Sequence, residues 1–113
     1  MPKRKVRYPK LVRDKVPKRI RKNGEVPIVV TLEVAEFKVA IFKKLVEEAG
    51  EARDAKTHRE LIEEVGDIED VLDEVYKLNH LKRKQVRHAR KKKHATHGGF
   101  KVRLSLLGVK KKR

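Results

Sequence analysis

The chain of 113 residues contains no cysteine, and aromatic residues make up only 4% of it. Without cysteine it has neither disulfides nor thiolate metal ligands, which favours a cytoplasmic location. No apolar run approaches the roughly 20 residues that a membrane-spanning helix needs, so no membrane association is expected. The length predicts a single domain over residues 1–113, with flexible basic ends at 1–7 and 108–113. A core of this size gains stability from oligomerisation.

Acidic residues are scarce at both ends of the chain. Residues 1–24 contain eleven basic side chains and one acidic side chain, whereas residues 81–113 contain fourteen basic side chains and no acidic one. Residues 25–80 carry fifteen acidic and seven basic side chains, so an acidic centre lies between two basic arms. This distribution predicts a polyanionic partner, which is either the phosphates of a nucleotide or a nucleic acid.

Apolar residues recur at helical intervals through the acidic centre and predict two long helices. The first is expected to begin at an N-cap on Thr31 and to end near residues 54–56. The second is expected to begin at the capping-box pattern of residues 57–60 and to end around residues 78–80. Only a few residues connect the two helices, so they should pack side by side in an antiparallel helical bundle.

Shorter elements are predicted on either side of these helices. Asp14 is the expected cap of a helix that ends at Lys22, and Asn23-Gly24 stops it. A very basic helix is expected from about Leu81 to residue 93 or beyond, before Gly98-Gly99. The fold class is therefore all-α, with short extended segments near both termini. The extended segments are expected at residues 10–12, 26–30 and 100–107.

Four acidic side chains fall on the helix faces that should be apolar. They are Glu48, Glu51, Glu64 and Asp67. At 100° per residue, Glu48 lies roughly 20° from the apolar position Ile41, and Glu64 lies about 20° from Val71. Each is followed after three residues by the second acid of its pair, at the border of the same arc. Glu47, by contrast, is predicted to point to the outer face.

Carboxylates at the edge of a core are unfavourable unless they are paired or bind a metal. One explanation is a set of plain salt bridges from Lys38, Lys44 or a basic arm. The other is a metal site. Because all the donors are oxygens, with no nearby histidine, Mg²⁺ is the expected cation and Mn²⁺ the alternative. An acidic metal centre between basic arms predicts phosphoryl transfer or pyrophosphate cleavage.

Three segments of the chain resemble one family. Glu47-Glu48-Ala49-Gly50-Glu51, followed after twelve residues by Glu64-Val65-Gly66-Asp67, resembles the EExxE…ExxD signature of MazG-like nucleotide pyrophosphohydrolases. These belong to the all-alpha NTP pyrophosphatase superfamily, together with phosphoribosyl-ATP pyrophosphohydrolase. The segment from Tyr8 to Pro17 is similar to the Y-x-K-L-V-R-D-K-I-P opening of a small branch, and Gly98-Gly99-Phe100 is similar to its GGF segment.

The resemblance implies a helical bundle completed by a second subunit, in a dimer or tetramer. It also implies Mg²⁺-dependent hydrolysis of a nucleoside triphosphate, or a related nucleotide, to a monophosphate and pyrophosphate, a house-cleaning type of reaction. The Mg²⁺ ligands carried over by position are Glu48, Glu51, Glu64 and Asp67. The acids assigned to catalysis are Glu48, Glu51 and Glu47. The basic groups assigned to the substrate are Lys44, Arg13 and Lys15.

Two other functions are consistent with the same sequence. A non-enzymatic, basic, helical nucleic-acid-binding module would explain the net charge of +16, although it leaves the buried acids unexplained and offers few aromatic rings for base stacking. A purely structural helical oligomer is the third. It predicts that leucine at Glu48 and Glu64 would stabilise the protein, because an unneeded buried charge is unfavourable.

Overall fold

The computed structural model describes residues 10–112, which form four α-helices and no strand. The helices are α1 (Val16–Lys22), α2 (Val34–Arg53), α3 (His58–Leu78) and α4 (Arg83–His97). The prediction of an all-α fold is therefore confirmed for this part of the chain. None of the described helices is both long and apolar enough to cross a membrane. The predicted flexible end at residues 1–7 and the motif residues Tyr8 and Pro9 lie outside the described residues, as does Arg113.

Two predicted helix starts are wrong by one or two residues. The N-cap of α1 is Lys15, not Asp14, and its side chain makes no capping hydrogen bond. The N-cap of α2 is Glu33, not Thr31. The backbone N–H of Glu33 donates to the Glu36 carboxylate at 3.2 Å, and this bond satisfies a donor at the helix start without a hydroxyl cap.

The start of α3 confirms the predicted cap at Thr57. Its hydroxyl accepts a hydrogen bond from the backbone N–H of Glu60 at 3.0 Å. The Glu60 carboxylate reaches back to the N–H of Lys56 at 2.9 Å, one residue further than in the standard capping box. At the other end, α3 stops at Leu78 and is followed by the C-cap Asn79. Both boundaries agree with the predicted ones.

The packing of α2 against α3 forms the core of the first part of the chain. Residues 54–57 alone separate the two helices, so they are antiparallel neighbours. Buried apolar side chains in the described residues are limited to Ile41 and Val71, which are 4% and 9% exposed. Glu48 is buried as deeply, at 5% exposed. A charged group is thus part of a very small core.

The chain divides into two compact units at His80–Leu81, and the second unit contains α4. The predicted basic helix is confirmed, and it continues to His97 before Gly98, whose φ of 77° lies in the left-handed region. The predicted strand-like segment at 100–107 is not a strand. It begins with a turn in which the N–H of Arg103 donates to the carbonyl of Phe100 at 3.1 Å, and no described strand is available to pair with it. The single domain over residues 1–113 stays a prediction.

Candidate metal centre

The acidic side chains of the candidate site extend the same helix stripes that form the core. Glu48 follows Ile41 by seven residues on α2, and Glu64 precedes Val71 by seven residues on α3. Seven residues correspond to two helical turns, so each acid lies on the stripe of a buried apolar residue. The α2–α3 hairpin therefore directs both carboxylates toward the facing helix.

Three carboxylates converge at this place. Glu48, Glu51 and Glu64 each offer an oxygen, and these oxygens all lie within 4.8 Å of one another. Glu48 is buried, Glu64 is half-buried and Glu51 is exposed. The Oε2 atoms of Glu48 and Glu64 are removed from solvent and have no hydrogen-bond partner. A buried carboxylate oxygen without a partner is unfavourable in free energy. A cation bound between these oxygens would remove that cost.

The surroundings of Glu64 change its protonation. Removal of this carboxyl group from water raises its pKa from 4.5 to about 7, assisted by repulsion from Glu51, by a side-chain hydrogen bond to Glu48 and by the charges of Glu48 and Asp67. The hydrogen bond acts in this direction because it requires a protonated Glu64 as donor to the Glu48 carboxylate, so the two groups do not form it when both are ionised. Near neutral pH Glu64 is therefore partly protonated, and a bound cation would compete with that proton.

Lys44 lies beside the cluster and is the predicted substrate-binding residue with the best-defined surroundings. Its Nζ is 3.2 Å from Oε1 of Glu48 and 3.3 Å from Oε1 of Glu47. This contact is the salt bridge that the sequence offered as an alternative explanation. It occupies only one oxygen of Glu48, because Oε2 has no hydrogen-bond partner.

The outward orientation predicted for Glu47 is wrong. The Glu47 side chain is only 32% exposed, because Lys44 pairs with it and Nζ of Lys10 approaches its Oε1 to 3.9 Å. The periodicity of α2 alone does not include this effect, because Lys10 belongs to the segment before α1. Glu47 thus belongs to the border of the acidic cluster and not to the free solvent face.

Two ion pairs hold the Arg13 side chain, which precedes α1, against α3. Its guanidinium nitrogens lie 2.6 Å from Oδ1 of Asp67 and 2.7 Å from Oδ2 of Asp70. These two hydrogen bonds raise the pKa of Arg13 above its usual value, and the bond to Asp70 has the larger effect. Asp67, the fourth predicted metal ligand, is therefore held by Arg13 and is not one of the three converging carboxylates. Lys15 is exposed at the start of α1.

The chain matches no family model, no curated protein and no solved structure. The resemblance to MazG-like proteins accordingly stays a prediction. The residues themselves were largely identifiable from sequence, because the i, i+3 spacing selected Glu48, Glu51 and Glu64. Lys10 and Asp70 were missed. Neither carried a signal on its own, since one belongs to a basic arm and the other to an exposed acidic face.

Proposed function

We propose that this protein is a Mg²⁺-dependent nucleotide pyrophosphohydrolase, which cleaves a nucleoside triphosphate or a related nucleotide to a monophosphate and pyrophosphate. The observation that carries the proposal is the pair of buried carboxylate oxygens without hydrogen-bond partners, Oε2 of Glu48 and Oε2 of Glu64, beside Glu51. The resemblance of the signature segments to MazG-like enzymes supports the same activity. A salt bridge from Lys44 alone leaves these two atoms unsatisfied.

The donor set fits a hard divalent cation. All three groups are carboxylates, which suit Mg²⁺ or Mn²⁺ better than Zn²⁺. Glu48, Glu51 and Glu64 would hold the ion, and Asp67 would join them once released by Arg13. A bound Mg²⁺ supplies charge neutralisation for the phosphates and lowers the pKa of a water molecule.

The remaining groups around the cluster suit the binding of a polyphosphate. Lys44, Arg13 and Lys15 all belong to the first unit, and the first two already lie against its acidic residues. A triphosphate that approaches the cluster would take over these cations from Glu48 and Asp67, since phosphate oxygens are strong acceptors for Lys and Arg. The half-buried Glu47 and the exposed Glu51 are then the acids available to orient or deprotonate an attacking water.

We further propose that the protein acts as a homo-oligomer, a dimer or tetramer. The apolar residues Val39, Phe42 and Val46 follow each other at three- and four-residue intervals on α2, and they are 60%, 48% and 74% exposed. A helix with a second apolar stripe is typical of one buried on two sides. Sedimentation velocity tests this proposal, because Val46→Glu should reduce the assembly to monomers, and a monomeric wild-type protein would contradict it.

The test of the enzymatic proposal is the release of pyrophosphate from a panel of canonical and modified nucleoside triphosphates. The purified protein is incubated with each nucleotide and Mg²⁺, with EDTA in a parallel reaction. Turnover is expected with at least one nucleotide, and it should disappear in EDTA and in the variants Glu48→Gln and Glu64→Gln.

The matched control is Glu63→Gln, which makes the same chemical change on α3. Glu63 is 66% exposed in its side chain and lies 3.9 Å from Arg59, away from the cluster. The activity of the Glu63→Gln variant should equal that of the wild type. Pyrophosphate release that survives in EDTA, or that Glu63→Gln reduces as much as Glu64→Gln does, would contradict the proposal.

A further inference from the structure

The side-chain charges of the second unit, from Leu81 onward, are all of one sign. Residues 81–113 contain fourteen lysines and arginines and no acidic side chain. Seven of the fifteen residues of α4 are lysine or arginine. Apart from the half-buried Val86, every described residue of this unit is exposed. An accessible positive charge of this density attracts polyanions strongly.

The charges of α4 are not spread evenly around the helix. At 100° per residue, five of them fall within an arc of about 120°. We call them the basic stripe, and they are Arg83, Lys84, Arg87, Arg90 and Lys91. The stripe extends for roughly 12 Å along the helix axis at 1.5 Å per residue. All five residues are exposed. A row of cations on one helix face is suited to a regular row of phosphates.

We propose that the basic stripe of α4 binds duplex DNA without sequence preference. An α-helix fits the roughly 12 Å wide major groove of B-DNA, whereas the deep and narrow major groove of duplex RNA excludes side chains. Single strands are bound by a basic groove together with stacking on aromatic side chains, and residues 81–113 contain one phenylalanine, Phe100, and no tyrosine or tryptophan. A membrane surface is also a poor match, because α4 has no continuous apolar face to insert.

Phosphate contacts rather than base contacts would dominate the affinity. Each neutralised phosphate contributes about −0.9 to the slope of log affinity against log salt for B-DNA. Five contacts from the basic stripe therefore predict a slope of about −4.5, which corresponds to a loss of roughly 500-fold between 50 and 200 mM salt. The proposal is independent of the pyrophosphohydrolase activity, so Glu48→Gln should bind DNA as the wild type does.

The experiment titrates the full-length protein into fluorescent 20-base-pair duplexes of two unrelated sequences, and into one single strand, at several salt concentrations. The variant Arg87→Gln/Arg90→Gln should lower the magnitude of the slope by about 2, so that the salt-induced loss falls to roughly 40-fold. Arg87→Lys/Arg90→Lys keeps the charge and should keep the wild-type slope. The matched control Lys38→Gln/Lys43→Gln removes the same net charge from α2 and should also leave the slope unchanged. Circular dichroism checks that every variant retains its helices.

Several results would overturn the proposal. One is the absence of duplex binding at 50 mM salt, and another is tighter binding of the single strand than of either duplex. A slope reduced equally by the α4 and α2 variants would assign the effect to net charge and not to the stripe. The proposal is also overturned if sedimentation shows that Arg87→Gln/Arg90→Gln dissociates an oligomer and the affinity for DNA is unchanged. The stripe would then bind the acidic centre of a second copy.

Discussion

Replacement of Glu48 by glutamine distinguishes a metal site from a structural salt bridge. Glu48 is 5% exposed, its Oε2 has no hydrogen-bond partner, and its Oε1 lies 3.2 Å from Nζ of Lys44. Glutamine keeps the shape and removes the charge. Lys44 would still have Glu47 at 3.3 Å, so it would not be left as an unpaired buried cation.

The two explanations predict opposite signs for the stability change in EDTA. If Glu48 is a metal ligand, the metal-free protein carries an unsatisfied buried charge that costs about 1–3 kcal/mol. Glu48→Gln should then be more stable than the wild type by about that amount, and each kcal/mol raises Tm by roughly 4 °C in a domain of this size. If Glu48 is instead the essential partner of Lys44, its replacement should destabilise the fold, although by less than the roughly 3–5 kcal/mol of a fully unpaired buried charge, because Glu47 remains beside Lys44.

Addition of Mg²⁺ provides the second half of this test. At 100 times its dissociation constant, a ligand stabilises the folded protein by about 2.7 kcal/mol. The wild type should show this gain, whereas Glu48→Gln, which has lost a charged ligand, should show much less. Urea unfolding at pH 8 in EDTA and in Mg²⁺ measures both effects, with Glu63→Gln as the variant that should behave as the wild type in each. The reasoning is refuted if Glu48→Gln is less stable in EDTA and gains as much from Mg²⁺ as the wild type.

Three further predictions follow from individual contacts. Because the pKa of Glu64 is raised from 4.5 to about 7, its protonated form stabilises the metal-free protein fully below pH 4.5, and this contribution disappears as the pH rises through 7. Thermal unfolding in EDTA should show that loss in the wild type and not in Glu64→Gln. Arg13→Gln should lower the free energy of unfolding by no more than about 1 kcal/mol, since the Arg13 side chain is 58% exposed. The same variant should raise KM for the nucleotide. Because it releases Asp67, it should also tighten Mg²⁺ binding as measured by calorimetry. If neither KM nor the Mg²⁺ affinity changes, the roles given to Arg13 are wrong. Thr57→Ala should cost about 1 kcal/mol in urea unfolding through loss of the α3 cap, whereas an unchanged midpoint would show that this cap contributes nothing.

The helices were predictable where the sequence contains a local signal that tertiary contacts do not override. The Thr57 cap and the end of α3 near Leu78 are examples, because each depends on residues within one turn. The start of α2 was misplaced because Glu33 and Glu36 satisfy the helix end in place of Thr31. The alternation of apolar and polar residues over 100–107 predicted a strand. Such alternation indicates only which side chains a strand would place on each of its two faces. It does not supply the neighbouring strand that pairing requires.

The site was predictable to the extent that it depends on helix periodicity. A 3.6-residue repeat brings Glu48 and Glu64 to the facing sides of α2 and α3, and the short connection between the helices makes them antiparallel neighbours. Contacts made by the segment before α1 were not predictable in this way. The positions of Lys10 on Glu47 and of Arg13 on Asp67 depend on how an irregular segment crosses the hairpin, and no repeat in the sequence encodes that path.

Arg13 and a divalent cation are alternative partners for the same carboxylate. In the described structure the guanidinium bridges Asp67 and Asp70, whereas Lys44 pairs with Oε1 of Glu48, one of the three converging acids Glu48, Glu51 and Glu64. A triphosphate would bring its own negative charges to Arg13 and thereby weaken the hold of Arg13 on Asp67. Under the proposed function, substrate binding and completion of the four-carboxylate metal site would therefore be coupled, because one arginine exchanges an aspartate for a phosphate.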